Sequence, residues 1–280
     1  MRTKTLLVAA AALAAAIGSS HAQTVYSQNV VGYVNTPLPA GQFTLVNTPL
    51  TGTTNGASTA LSGFQGGETL LTWNGGGYYN YTYQGAGAGT SIGFQSDWSD
   101  GNATPPAPSH IPGAQTDTSD SLYWVPQPVL NPGQGYFVSS STTETNTFTG
   151  TVITTNTTTL PAGAFVLVGS AIPVGGDVST NPAITLTKNF AGGETMLVWN
   201  GGGYYNFTYQ GAGAGTSIGF QSDWSDGNAT PPAPSHVPGA QTDTSDSLYW
   251  VPPPQLSVGQ GIFLSAPVTE TWTQVITNIP

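Results

Sequence analysis

The sequence predicts an all-β protein of two tandem antiparallel β-sandwich modules with long Gly/Pro-rich loops, after an N-terminal signal peptide. Three observations predict it. Residues 73–126 recur 126 positions later at 199–252, and over those 54 residues only Tyr81/Phe207 and Ile111/Val237 differ. Gly and Pro, 37 and 22 of 280 residues, punctuate the chain every few positions, and Thr, Val and Tyr fill the intervals. Short β-branched and aromatic runs bounded by turn formers read as strands. After the signal, no stretch carries the 3.6-residue apolar period of an amphipathic helix.

Arg2 and Lys4 precede an apolar run from Leu6 to Ile17, and Ser20-His21-Ala22 places small residues on either side of His21. That order marks a secretory signal cleaved after Ala22. The apolar run is too short and Ala-rich to span a bilayer, so no membrane insertion is expected after cleavage. The expected location is secreted: periplasmic, cell-surface or extracellular. Cleavage leaves Lys188 alone against 13 carboxylates, a formal charge near −12. Such a chain repels phosphate backbones and anionic lipid, which excludes nucleic acid as a partner. It has no cysteine, which excludes disulfides, thiol catalysis and thiolate zinc sites.

The expected organisation is a signal peptide at 1–22, a sandwich module at 23–140, a Ser/Thr-rich linker at 141–150, a second module at 151–267 and a strand-like tail at 268–280. In the first module, Val25–Val34 and Phe43–Val46 read as strands. Thr69–Asn74 and Tyr78–Gln84 form a hairpin across Asn74-Gly75-Gly76-Gly77, where glycines supply the positive φ of a tight turn. Residues 85–121 read as a long loop, and Leu122–Val125 and Gly135–Ser139 as closing strands. The second module repeats this order, at an offset of 122 from Leu160-Pro161-Ala162-Gly163 and 126 from Gly192, so four residues are inserted between Val168 and Gly192.

Three motifs recur in a familiar order: Leu45-Val46-Asn47-Thr48-Pro49-Leu50, Leu71-Thr72-Trp73-Asn74-Gly75 and Asn131-Pro132-Gly133-Gln134-Gly135-Tyr136-Phe137-Val138. Their order resembles exported, largely uncharacterised β-sandwich repeat proteins of environmental Gram-negative bacteria. The mature start Val25–Val34 is similar to theirs as well. The resemblance covers both modules and departs at Val168-Gly169-Ser170, where Asn and Pro are not in place. It implies a fold and a surface or extracellular place, with no activity to carry over.

Two kinds of ligand site are candidates. Tyr79, Tyr81 and Tyr83 alternate onto one face of a strand, as do Tyr205, Phe207 and Tyr209 in the copy. With Trp98 and Trp224, set in Gly/Asp/Ser loops, they suit sugar stacking beside Asn and Gln amides. The same rings equally suit the core of a module short of Leu and Ile. Asp97, Asp100, Asp117 and Asp120, with Asp223, Asp226, Asp243 and Asp246, place oxygen ligands in the long loops, as a structural Ca²⁺ would require. An EF-hand reading fails because the glycine after Asp100 comes one place early and Pro108 stands where a bidentate Glu would close the loop. Asx-turns explain the same aspartates without a metal.

No catalytic set stands out. Ser109, His110 and Asp117 sit too close together in a Pro-flanked loop to form a triad, and no nucleophile elbow is present. Glu68, Asp97 and Asp100 offer paired carboxylates, as any acidic β-protein does. The expected class is therefore a non-enzymatic structural or adhesive protein of the surface or extracellular matrix. Its expected partners are other copies of itself or extracellular polysaccharide. The tail Thr271–Thr277 has no partner in the sequence reading. Its expected role is to add to a neighbouring molecule's sheet edge, in which case deleting 268–280 abolishes assembly and leaves each module folded. The alternative is a bivalent carbohydrate-binding protein with one site per repeat.

Overall fold

The computed structural model describes residues 30–89, 96–117, 121–215, 222–243 and 247–277, so the expected signal peptide lies outside the described residues. The described residues from Val31 onward form one compact all-β unit. The opening strand β1 (Val31–Leu38) stands apart from the main sheet of the first module. That sheet contains β2 (Phe43–Asn47), β3 (Thr69–Trp73), β4 (Tyr78–Tyr83), β5 (Trp98–Asp100), β6 (Gln115–Asp117), β7 (Leu122–Val125) and β8 (Gly135–Ser139). They order as β2-β8-β3-β4-β5-β7-β6, with every pairing antiparallel.

β1 pairs instead with β9 (Glu144–Thr151), from Val31 opposite Thr151 to Leu38 opposite Glu144. Strand alternation turns Leu38 and Phe148 of this ribbon inward, onto Val46, Leu70, Tyr136 and Val138 of the sheet. The ribbon is the second layer of the sandwich, and a one-turn helix α1 (Ala57–Ala60) adds Ala57 to the same core.

The second module repeats the plan. A ribbon of β10 (Thr155–Leu160) and β20 (Glu270–Val275) covers a sheet of β11 (Phe165–Gly169), β13 (Thr195–Trp199), β14 (Tyr204–Tyr209), β15 (Trp224–Asp226), β16 (Gln241–Asp243), β17 (Leu248–Val251) and β19 (Gly261–Ser265). Where the first module has α1, the second has a turn at 178–180, entered by β12 (Gly176–Asp177), whose pairing with β18 (Gln255–Leu256) matches the Gly56–Val129 bridge of the first module. The change keeps one contact. Ser58 of α1 accepts from Trp98 Nε1 at 3.0 Å, and Ser179 accepts from Trp224 Nε1 at 2.8 Å.

Two expectations about connections are corrected. Most of the linker expected at 141–150 is strand β9, and the chain passes between modules at Val152–Thr154. The tail expected to seek a neighbour is strand β20, already paired with β10 of its own module. Its Trp272 is fully buried and donates to Ile184 O at 3.1 Å. Gln274 beside it is fully buried, accepts from Ala171 N at 2.9 Å and from Asn156 Nδ2 at 3.4 Å. A buried amide with these partners is fixed in place. Assembly through a free tail strand is therefore withdrawn.

The two seven-stranded sheets pack face to face, and the contact has an internal two-fold character. Leu45 and Phe137 from one module meet Leu167 and Phe263 from the other. Bonds are exchanged reciprocally: Trp73 Nε1 donates to Phe165 O at 3.0 Å and Trp199 Nε1 to Phe43 O at 2.7 Å. Likewise Asn47 N donates to Gly259 O at 2.8 Å and Gly169 N to Gly133 O at 2.9 Å. The end of each main sheet formed by β2 and β8, or by β11 and β19, is thus buried on both faces. Tyr136 points into its module core, and Phe137 into the seam between modules.

Close approach requires the glycines that open β8 and β19. A Cβ on Gly135 would lie 2.9 Å from Leu167 Cγ, and one on Gly261 would lie 2.7 Å from Val46 O. The seam also explains where the second module leaves the repeat pattern. Residue 47 and its counterpart 169 face each other across the two-fold: a Cβ on Gly169 would lie 2.4 Å from Asn47 Cγ. Two asparagines do not fit there. Asn47 fills the space and donates to Ser170 O at 2.7 Å.

Candidate functional site

The aromatic candidates of the repeats are core residues. Trp98 and Trp224 are 0% exposed, so neither offers a face to a sugar, and both are withdrawn as ligand residues. Three-residue strands hold them. β5 pairs Trp98 with Tyr83 on one side and with Val125 on the other. Phe64 and Tyr83 pack on Trp98 with ring centroids 6.2 and 5.1 Å away. Tyr81, Tyr83, Phe207 and Tyr209 are buried in the same two cores, and Tyr79 and Tyr205 are half-buried against them. Burial raises the Tyr81, Tyr83 and Tyr209 hydroxyl pKa values.

The aspartates near these rings tie loops to the sheets. Asp97 Oδ1 accepts from Gly87 N at 2.6 Å. Asp100 is buried, with Oδ1 accepting from Asn102 N at 2.8 Å and Oδ2 from Ser109 Oγ at 2.6 Å. Asp223 and Asp226 repeat this with Gly213, Asn228 and Ser235. Asp117 and Asp243 lie on β6 and β16, and Asp120 and Asp246 lie outside the described residues. Among the described residues no three acidic or imidazole groups converge as a metal would require. Ser109, which the sequence places next to the exposed His110, is bonded to Asp100.

The sequence reading named Glu68 but missed that each module brings two glutamates together, with Glu68, Glu194 and Glu270 buried and Glu144 half-buried. Glu68 accepts from Gln65 N and Gly66 N at 3.0 and 2.8 Å, and Glu194 from Ala191 N and Gly192 N at 2.9 Å each. Each caps the loop that enters β3 or β13. Glu144 and Glu270, at the start of β9 and β20, face them. No basic residue balances either pair among the contacts of the described residues. Burial, the Glu194 charge and the bond to Glu194 push the Glu270 carboxyl up to about 7. Burial also raises Glu144.

The sign follows from linkage. A raised carboxyl pKa means the folded state holds its proton more tightly, so this stabilisation is complete below about pH 4.5 and is lost as pH rises through 7. Thermal melts are expected to show a chain more stable at pH 5 than at pH 8. Glu270→Gln, whose amide can donate to Glu194 at any pH, should raise Tm at pH 8 by about 2–8 °C and flatten the profile. A wild-type Tm that rises between pH 5 and 8 would contradict this assignment.

The seam supplies surface features with ligand-sized dimensions. Trp73 packs edge-on against Tyr78 and Phe263, and Trp199 against Tyr204 and Phe137, with centroids 5.0–5.3 Å apart. Tyr78 and Tyr204 hydrogen-bond to each other near the two-fold, and burial raises both hydroxyl pKa values. On one side an open groove of about 330 Å³ runs between Trp73, Gly75, Gln134, Pro161 and Phe165. It shares Trp73 and Phe165 with an apolar hollow of about 190 Å³ bounded by Tyr78 and Tyr204. Across the two-fold, Trp199 and Gln260 line a counterpart of about 440 Å³ with Asn35, Thr36 and Thr44. The Thr36 hydroxyl there is buried and has no hydrogen-bond partner.

The hairpin tryptophans were legible as a motif, but the pairing of modules that gives them a shared surface was not. Compared with protein-family models, curated proteins and solved structures, the chain matches none.

Proposed function

We propose that this chain is an exported, non-catalytic adhesive or structural component of a bacterial surface or matrix, acting as one rigid two-module body. What supports the reading is the placement of its reactive groups. The carboxylates and hydroxyl that chemistry would recruit, Asp97, Asp100 and Ser109 with their copies, hold loop backbone and one another. The resemblance to exported sandwich repeats points the same way. Calcium remains part of the proposal through the loop aspartates, as a staple for the segments they anchor.

The test is the size and retention of residues 23–280, by light scattering on a sizing column with Ca²⁺ and with chelator, followed by passage over immobilised surface polymers. Open-ended assembly or retention on a polymer is the expected result, with calcium dependence if the aspartates take the ion. A monomer that neither assembles nor is retained on any surface polymer overturns the reading.

A further inference from the structure

We infer that the trough over Trp73 and Phe165 binds a neutral polysaccharide, seated by its sugar faces on the seam aromatics. The inference rests on the adhesive reading for its target, and on the trough itself for its chemistry. Two depressions share Trp73 and Phe165 as a common floor, so the groove and the hollow make one continuous path. Phe165 and Tyr78 are 37% and 36% exposed, among the most exposed rings in the described chain. The order along the path is Gln134 and Pro161, then Trp73 and Phe165, then Tyr78 and Tyr204.

A sugar ring pairs apolar C–H faces with a rim of hydroxyls. The trough pairs aromatic rings with the Gln134 amide and the tyrosine hydroxyls, which is the matching arrangement. Charge argues for a neutral polymer. No acidic or basic side chain lines the groove, the hollow or the counterpart around Trp199. The mature chain is strongly acidic elsewhere, so a uronate or phosphate polymer is repelled at long range and finds no cation on arrival.

A β-strand peptide is a poorer occupant, because backbone groups at the ends of β2 and β11 are already bonded across the seam. The counterpart groove, with Trp199 as its one ring and Gln260 beside it, adds a second contact for the same polymer. Two contacts fixed on one rigid body raise the avidity for a repeating polymer.

The experiment is affinity electrophoresis of residues 23–280 in gels containing soluble β-glucan, xylan or galactomannan, with alginate as the anionic control. Wild type is expected to be retarded by at least one neutral polymer and to run freely through alginate. Phe165→Leu with Tyr78→Leu keeps apolar bulk but removes the flat rings. It should weaken retardation about tenfold while the melting temperature stays near wild type. If that pair unfolds the chain, Phe165→Leu alone serves, since its ring is the more exposed. Full migration in every neutral polymer, unchanged retardation in the Leu variants, or a ring-dependent dimer in its place would each overturn the inference. Assembly or retention on another surface polymer with free migration in neutral glycans would remove the glycan assignment alone and leave the adhesive reading standing.

Discussion

Truncation after Pro267 is expected to unfold the second module. The deletion removes β20, which pairs with β10 from Thr155 opposite Val275 to Leu160 opposite Glu270. It strips Trp272 from a core that contains Leu160, Ile184 and Leu186. It also removes Gln274, which satisfies Ala171 N, and the backbone bonds of Val275 N to Ala183 O and Ile276 N to Thr154 O. β10 would then present an unpaired edge over an uncovered sheet. The loss exceeds what a marginal domain of about 5–15 kcal/mol can absorb.

The single substitution Trp272→Ala isolates the packing part. It should cost about 3–5 kcal/mol and lower Tm by about 6–20 °C. Near-UV circular dichroism and a thermal melt read both variants. A truncated chain that keeps the wild-type near-UV signal and melting temperature would show that the ribbon is not part of the fold.

The role of that tail was legible in part. Glu144-Thr145-Asn146-Thr147-Phe148 and Glu270-Thr271-Trp272-Thr273-Gln274 stand 126 positions apart, the offset of the copied stretch. Read together they mark equivalent closing strands, and hence two self-contained modules. The match is hard to see because the buried residues trade places. The first ribbon buries Asn146 and Phe148 where the second buries Trp272 and Gln274. Alternation fixes which positions turn inward, and either order of aromatic and amide fills the space.

The hairpin and closing strands were readable because each is a short β-branched or aromatic run between turn formers. Leu122–Val125 and Gly135–Ser139 coincide with β7 and β8. β5 was not readable. Trp98-Ser99-Asp100 is too short and too polar for a periodicity argument, and its order comes from neighbours on both sides. An indole between Asp and Ser looks exposed in sequence. In the fold Trp98 is covered by Phe64 and Tyr83, which lie far along the chain from it. The same holds for the glutamate pairs, whose members lie 76 residues apart in each module.

The seam was the least legible feature, since linear sequence carries no sign that two modules press together rather than hang from a linker. Only the asymmetry at Asn47 and Gly169 hinted at it, and the hint makes sense once the two positions are known to meet. It also follows that the modules have fitted themselves to each other, so neither is a free copy of the other.

Phe137→Ala with Phe263→Ala is therefore expected to open the molecule along that seam. Each ring is buried there among aromatics of the opposite module: Phe137 packs on Trp199 and Phe263 on Trp73, both at 5.3 Å and near right angles. Losing a buried phenylalanine costs about 3–5 kcal/mol, and the two share one packed cluster, so their effects couple. Even one such loss is a large fraction of the roughly 5–15 kcal/mol that stabilises a whole domain. The module cores do not include either ring, so each sandwich keeps its own interior.

The expected result is a fall in Tm of more than about 10 °C, with Trp73 and Trp199 more open to acrylamide quenching than in the wild type while β-sheet content persists. Loss of all β-signal would instead mean that neither module stands without the other. An unchanged melt would mean that the two sheets are held by their backbone bonds alone, and that the aromatic seam exists for the surface it presents.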